Sequence, residues 1–170
     1  RGGAEFEEWR SAGLVAVDWF DLGDLTQYGT RELLTEAYKK TYPSQTAGQV
    51  INHVGQIWRF WHELKIGDGV VVYNPASGVY AIGEVQSTAQ FDPARPAFRT
   101  FYKVAWRSEL ERAKLTVESR NRLGSVLTIF SVAPDTAKEI EDLTSGQPSV
   151  VSSTTEEFET IKEDVAARAH

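Results

Sequence analysis

The spacing of the apolar residues changes at Gly69, and this change constrains the fold more than any other feature of the sequence. Before it, apolar residues recur three and four positions apart, as in residues 46–64, where Val50, Val54 and Ile57 fall on one helical face. After it, short runs of β-branched and aromatic residues alternate with turn residues, which is typical of strands in hairpins. The sequence therefore predicts helices first and then a largely antiparallel sheet.

These patterns predict the position of each element. Helical spacing covers residues 4–12, 30–40, 46–64, 108–121 and 135–143. Strand patterns cover residues 14–17, 70–73, 79–85, 101–106 and 127–132. Thr30 and Asp135 stand where an N-cap is needed. The order predicts an α+β fold with a curled, mostly antiparallel sheet or half-open barrel flanked by helices.

The composition changes near the C-terminal end of the sequence. Residues 1–143 are predicted to form one domain, and residues 144–155 have the Ser, Thr, Gly and Gln content of a linker. Residues 156–170 return to helical spacing as a tail. The first residue is Arg1 and not Met, so we expect the chain to be a fragment of a longer protein whose further domain follows the tail.

Several classes of function are excluded by missing residues. The 170-residue chain has no cysteine, which rules out disulfides, thiolate metal sites and a cysteine nucleophile. It has no uninterrupted apolar run of membrane-spanning length and no phosphate-binding loop. His53 and His62 are nine positions apart, on opposite sides of one predicted helix, so they cannot share a metal. We therefore expect no cofactor, no metal site, no membrane partner and no catalytic residues in this chain.

Charge is distributed unevenly along the sequence. The whole chain has a net charge of −6, yet residues 95–122 carry eight basic and three acidic residues, for a net charge of +5. Such a block marks a surface that can contact phosphates, although a solvated face produces the same pattern. The candidates for contacts with a DNA backbone are Arg95, Arg99, Lys103 and Arg107.

The aromatic residues supply the second signal. Trp61 is assigned to the core because it lies at the centre of its helix's apolar face, and Trp58 lies at the edge of that face, where a pocket rim is possible. Trp19 follows a predicted strand in an acidic loop, where it can be either a stacking platform or a loop anchor. Phe91 and Phe98 flank a proline-containing loop and can supply an opposing ring.

At this point the sequence resembles a known family. Residues 65–75 (KIGDGVVVYNP) and 80–85 (YAIGEV) are similar to the hairpin of EVE domains, which belong to the PUA-like superfamily and are relatives of the YTH readers. Residues 13–25 and 47–60 resemble the N-terminal reader domains of Mrr- and McrB-type modification-dependent restriction proteins. Residues 123–130 fit their closing strand, and the tail resembles the linker to an Mrr-like nuclease domain.

This resemblance implies an aromatic pocket for one flipped, modified base. Trp19 matches one cage aromatic by position, and Phe91 and Phe98 match a second more loosely, since phenylalanine replaces the tryptophan of the YTH pattern. Asp18 or Asp21 can accept a hydrogen bond from an exocyclic amino group. The predicted base pocket comprises Trp19, Asp18, Asp21, Trp58, Tyr73, Asn74, Phe91 and Phe98.

The function that the resemblance implies is a noncatalytic reader of modified double-stranded DNA that directs an attached restriction nuclease, as part of phage defence in the prokaryotic cytoplasm. The modification stays open between methylated adenine, methylated or hydroxymethylated cytosine and a bulkier group. Two alternatives stay open as well. One is a PUA-like RNA-binding module, and the other is a regulatory domain that binds a small molecule or a protein.

Overall fold

The computed structural model describes residues 4–124 and 129–146. In chain order these residues form α1 (Ala4–Ala12), β1 (Leu14–Val17), α2 (Arg31–Thr41), α3 (Ala47–Trp58), β2 (Gly69–Asn74), β3 (Val79–Val85), β4 (Gln90–Phe91), β5 (Thr100–Glu111), α4 (Val117–Leu123) and α5 (Pro134–Thr144). Short 3₁₀ helices lie at Phe20–Leu22, Leu25–Gln27 and Arg112–Lys114, and a π-turn at Arg59–Glu63 continues α3.

The strands form one curled antiparallel sheet with the order β1-β5-β3-β2. Thr100, at the start of β5, pairs with Val17 of β1 and with Phe91 of β4. The rest of β5 pairs with β3, and a shift in register between Ile82 and Gly83 marks a β-bulge. Bulges increase twist and bend a sheet. The result is a half-barrel flanked by helices, and the predicted fold class is confirmed.

Local sequence explains where the early helices begin and end. Thr30 caps α2 by accepting a hydrogen bond from the Leu33 amide, as predicted. Thr46 and Gln49 form a reciprocal capping box at the start of α3. Gly13 ends α1 with a positive φ of 63°, a conformation that glycine adopts without steric cost.

The buried side chains form three clusters around the sheet. The largest lies between α2, α3 and the inner face of β5 and includes Leu34, Ile57 and Tyr102. The second lies under α1, where Phe6 packs against Trp106. A third cluster joins β3, β5 and α5. The two ends of the sheet are therefore packed against different elements.

The predicted helix over residues 108–121 is largely wrong. Burial continues to alternate through Ser108 and Leu110, so β5 extends to Glu111. The charged residues of this segment favour a helix, but pairing with β3 overrides that local preference. Only Val117–Leu123 is α-helical, as α4.

Two predictions near the C-terminal end also fail. Residues 129–132 of the predicted last strand are not in a strand, and residues 127 and 128 lie outside the described part of the chain. Asp135 does not cap α5. Ala133 is the N-cap and Pro134 the first helical residue, while Asp135 pairs with Arg122 in the first turn. The predicted linker beyond residue 146 and the tail lie outside the described residues.

Gly83→Ala tests the close approach at the bulge. A Cβ at this position would lie 2.5 Å from Cγ1 of Val104, 2.8 Å from the Trp106 ring and 2.9 Å from the Ala105 carbonyl oxygen. We expect a loss of about 1–3 kcal/mol in the free energy of unfolding, measured by urea denaturation. Gly48→Ala is the control. Gly48 is an exposed residue of α3, and no atom lies within 4 Å of a Cβ added there. This substitution should leave the free energy of unfolding unchanged or raise it. Equal stability of the two variants would contradict the close approach.

Candidate nucleic-acid interface

The N-terminal end of β5 brings together residues from three segments. Val17 ends β1 opposite Thr100, so Trp19 and Phe20 follow directly beside the start of β5. Phe91 pairs with the same Thr100 from the other side, and the Asp92 amide donates to the Arg99 carbonyl at 2.9 Å. We call Trp19, Phe20 and Arg99 the aromatic–arginine surface. Phe91 faces the other side of the sheet, because its partner Thr100 is buried and Arg99 directly precedes Thr100.

Arg99 and Phe20 form the centre of this surface. The guanidinium carbon of Arg99 lies 4.0 Å from the centroid of the Phe20 ring. Arg99 Nε donates a hydrogen bond of 2.8 Å to the Arg95 carbonyl, which fixes the guanidinium in place. Phe20 is 46% exposed. A cation held over an exposed ring offers flat surfaces on which a planar ligand can stack.

Lys103 and Arg107 extend the positive charge along the outer face of β5. They follow Arg99 at intervals of four residues, about 13 Å along a strand. Arg99, Lys103 and Arg107 therefore lie on one face of the strand, with Arg99 nearest the aromatic–arginine surface. Glu84 engages Arg107 at 2.8 Å.

Two other predicted residues attach the proline-containing loop to α1. The Arg95 guanidinium pairs with Glu8 at 3.2 Å. Phe98 has a positive φ of 52° and packs edge-on against Trp9, with ring centroids 5.4 Å apart. A non-glycine residue with positive φ is uncommon. Phe98 is therefore held against α1 by Trp9, and Arg95 is paired with an acid of the same helix.

Trp19 is half-buried and packs against the largest core cluster, as a loop anchor does. Asp18, next to it, is exposed. Asp21 lies beside Tyr42 at the end of α2. Burial raises the pKa of the Tyr42 hydroxyl, and the negative charge of Asp21 raises it further. Thus the structure places Asp18 beside the aromatic–arginine surface and directs Asp21 toward α2.

Tyr73 and Asn74 lie at the opposite end of the sheet. Tyr73 pairs with Tyr80, which pairs with Leu110, ten residues along β5 from Thr100. At about 3.3 Å per residue, this is roughly 30 Å along the strand. Asn74 is buried, and its Oδ1 accepts a hydrogen bond from the Ala76 amide to close the hairpin turn. The prediction that these two residues share a pocket with Trp19 is corrected.

A concave pocket that the sequence did not indicate lies on the inner side of β4. Its volume is about 690 Å³, and Trp61, His62, Lys65, Thr26 and Ala89 are among its lining residues. Trp61, predicted to pack in the core, does pack against the largest core cluster; it is half-buried and also forms part of the pocket wall. Trp58, predicted at a pocket rim, stacks on one face of the His62 ring and does not itself line the pocket. We call this pocket the corner pocket.

A larger groove of about 830 Å³ lies between β1 and β2. Val15 and Val17 line one side, and Val70 and Val72 line the other. In the described part of the chain β2 pairs only with β3, so one edge of β2 faces this groove. Such an apolar edge strand offers backbone groups to another extended segment. Trp19 lines neither the groove nor the corner pocket.

The structure is that of a small α+β half-barrel domain with an aromatic and cationic surface at one end of its sheet. Residues 3–132 match the family described as a domain of unknown function (DUF8426), and the chain belongs to that family. Neither a curated protein nor a solved structure matches the sequence. The family match spans every predicted site residue.

Within residues 4–124 and 129–146, no three His, Cys, Asp or Glu side chains are arranged to hold a metal ion together. None of the helices in those ranges has the length and apolar content needed to cross a bilayer.

Tyr102, which lines the corner pocket, makes the free energy of unfolding depend on pH. Burial raises the pKa of its hydroxyl from 10.0 to about 12, and the charge of Asp68 adds to the effect. Between these values the unfolded chain releases a proton that the folded chain keeps, so the free energy of unfolding falls as pH rises, by up to ~1.4 kcal/mol per pH unit. We expect urea denaturation of Tyr102→Phe to show a shallower alkaline loss. A slope identical to that of the unsubstituted protein would contradict this assignment.

Proposed function

We propose that this chain is a noncatalytic DNA-binding domain that reads a modified, flipped-out base and holds the duplex through the aromatic–arginine surface. The attached restriction nuclease and the EVE-like character expected from the sequence belong to the same proposal. The observation that carries it is the Arg99 guanidinium held 4.0 Å over the exposed Phe20 ring.

The arrangement suits nucleic acid for a physical reason. Stacking of a base on an aromatic side chain contributes roughly 1–3 kcal/mol, and it applies to any base because every base has a π-face. Arg99 adds a positive charge at the same point, and Lys103 adds another four residues further along β5. A phosphate and an unstacked base of the same strand can therefore be contacted at this surface.

RNA is the second candidate, and the same observation supports it. Splayed bases of single-stranded RNA stack on aromatic rings and on arginine planes, and the aromatic–arginine surface provides both. An experiment that compares the two nucleic acids on equal terms separates these functions.

Binding of labelled oligonucleotides, measured by fluorescence anisotropy, tests the proposal. The set contains one duplex sequence with plain bases, N6-methyladenine, 5-methylcytosine or 5-hydroxymethylcytosine, and the matching single-stranded RNA. We expect tighter binding to one modified duplex than to the plain duplex and to the RNA. Equal affinity for all duplexes rejects base reading, and tighter binding to the RNA assigns the surface to RNA.

Arg99→Ala tests the surface itself. We expect about tenfold weaker binding to modified and plain duplexes alike, with the salt slope reduced by about one, because one phosphate contact is lost. The control is Arg122→Ala, since Arg122 is engaged by Glu118 and Asp135 on α4 and α5. A variant Arg99→Ala that binds like Arg122→Ala would show that DNA does not use this surface.

A further inference from the structure

The end of α3 contains a local departure from helical geometry. Residues Arg59–Glu63 form a π-turn, in which the Leu64 amide donates to the Arg59 carbonyl at 3.1 Å. Such turns are rare in proteins, and those that do occur are often found at functional sites. This one carries Trp61 and His62 into the wall of the corner pocket.

The two rings form a corner. The planes of Trp61 and His62 are 79° apart, with centroids 6.0 Å apart. The far side of His62 is covered by Trp58, which lies nearly parallel at 16° with a centroid distance of 4.1 Å. A planar ligand that stacks on one wall therefore presents its edge to the other.

Hydrogen bonds hold this corner rigid. The Trp61 indole N–H donates to the Tyr28 carbonyl at 3.2 Å, and the Tyr102 hydroxyl donates to the Trp61 carbonyl at 2.9 Å. Both the ring and the backbone of Trp61 are thus fixed before any ligand binds. Preorganisation of this kind lowers the entropic cost of binding.

The rest of the lining defines the chemistry of the ligand. Leu64 and Ala89 are apolar, which suits the face of a ring. Thr26 donates its hydroxyl proton to Asp24 at 2.6 Å, so its oxygen is left as an acceptor for a ring N–H or amino group. Lys65 supplies one positive charge at the mouth. A heteroaromatic ring with a hydrogen-bonding edge and one attached phosphate satisfies all of these groups.

We propose that the corner pocket receives the flipped nucleobase, stacked in the angle between Trp61 and His62 with its phosphate toward Lys65. The inference rests on the proposed function and deepens it. Ala89 of the pocket lies two residues before Phe91, about 7 Å along the chain, and Phe91 pairs with Thr100, the residue after Arg99. The pocket therefore lies at the same end of β5 as the aromatic–arginine surface but on the inner face of the sheet. In this proposal the flipped nucleotide passes the short edge strand β4 to reach it.

His62→Ala and Lys65→Gln test this assignment, because both side chains are exposed and their loss leaves the core intact. We expect each to reduce affinity for the preferred modified duplex by about tenfold while affinity for the plain duplex changes little. The matched control is Tyr73→Ala, an exposed ring at the far end of the sheet. An unchanged ratio of modified to plain affinity in both variants, or an equal fall in Tyr73→Ala, overturns the inference.

A second measurement does not depend on duplex binding. Deoxynucleoside monophosphates of N6-methyladenine, 5-methylcytosine and 5-hydroxymethylcytosine are titrated while tryptophan fluorescence is followed. We expect quenching by one of them, and its loss in His62→Ala. Quenching that persists in His62→Ala places the base elsewhere. If the unsubstituted protein prefers no modified duplex, the proposed base reading is wrong. If the pocket variants keep the preference while Arg99→Ala weakens binding to every duplex, base reading stands but this pocket is not the base site.

Discussion

Pairing along the twelve-residue strand β5 is the constraint on which the rest of the structure depends. Its first residues lie between β1 and β4, and its remainder pairs with β3. Because side chains alternate along β5, one face of the strand is buried and the other is exposed. Tyr102 and Trp106 enter separate core clusters, while Lys103 faces solvent. A single strand therefore fixes the core and displays the surface charge.

The β-bulge and the π-turn are two local irregularities with separate consequences. At Gly83 the missing side chain lets β3 approach Val104 and Trp106 closely, so the sheet can curl. At Arg59–Glu63 the widened turn departs from regular helical hydrogen bonding, and hydrogen bonds from Trp61 and to its carbonyl stabilise the result. The bulge therefore shapes the sheet under α1, while the π-turn shapes the wall of the corner pocket.

Sequence reasoning predicted what depends on local spacing. The cap of α2 and the β2–β3 hairpin follow from residues close together in the chain, whereas the capping box of α3 was not predicted. Position in space does not follow from such residues. Tyr73 and Trp19 were grouped by resemblance, yet strand register separates them by most of the length of β5. The extension of β5 to Glu111 was missed for the same reason, since it depends on pairing with β3.

The corner pocket was missed although part of its signal is in the sequence. Trp58 and His62 are four residues apart, a spacing at which helical side chains meet, and Trp61 adjoins them. In a regular helix Trp61 belongs to the buried face, so the pattern favours a core role. The segment becomes a pocket wall because of the π-turn. The residue types in the segment do not predict a π-turn.

The positive charge beside the aromatic–arginine surface limits the way in which the proposed reader can hold DNA. On the outer face of β5, Glu84 engages Arg107, and Arg99 and Lys103 lie closer to that surface. Each phosphate contact contributes about 0.9 to the salt slope, so two contacts give a slope near −2. Under the proposed function, most of the affinity therefore comes from stacking. Stacking on a base of a duplex requires that the base leaves the helix, so the proposal favours the reading of bases that flip easily over the coating of DNA.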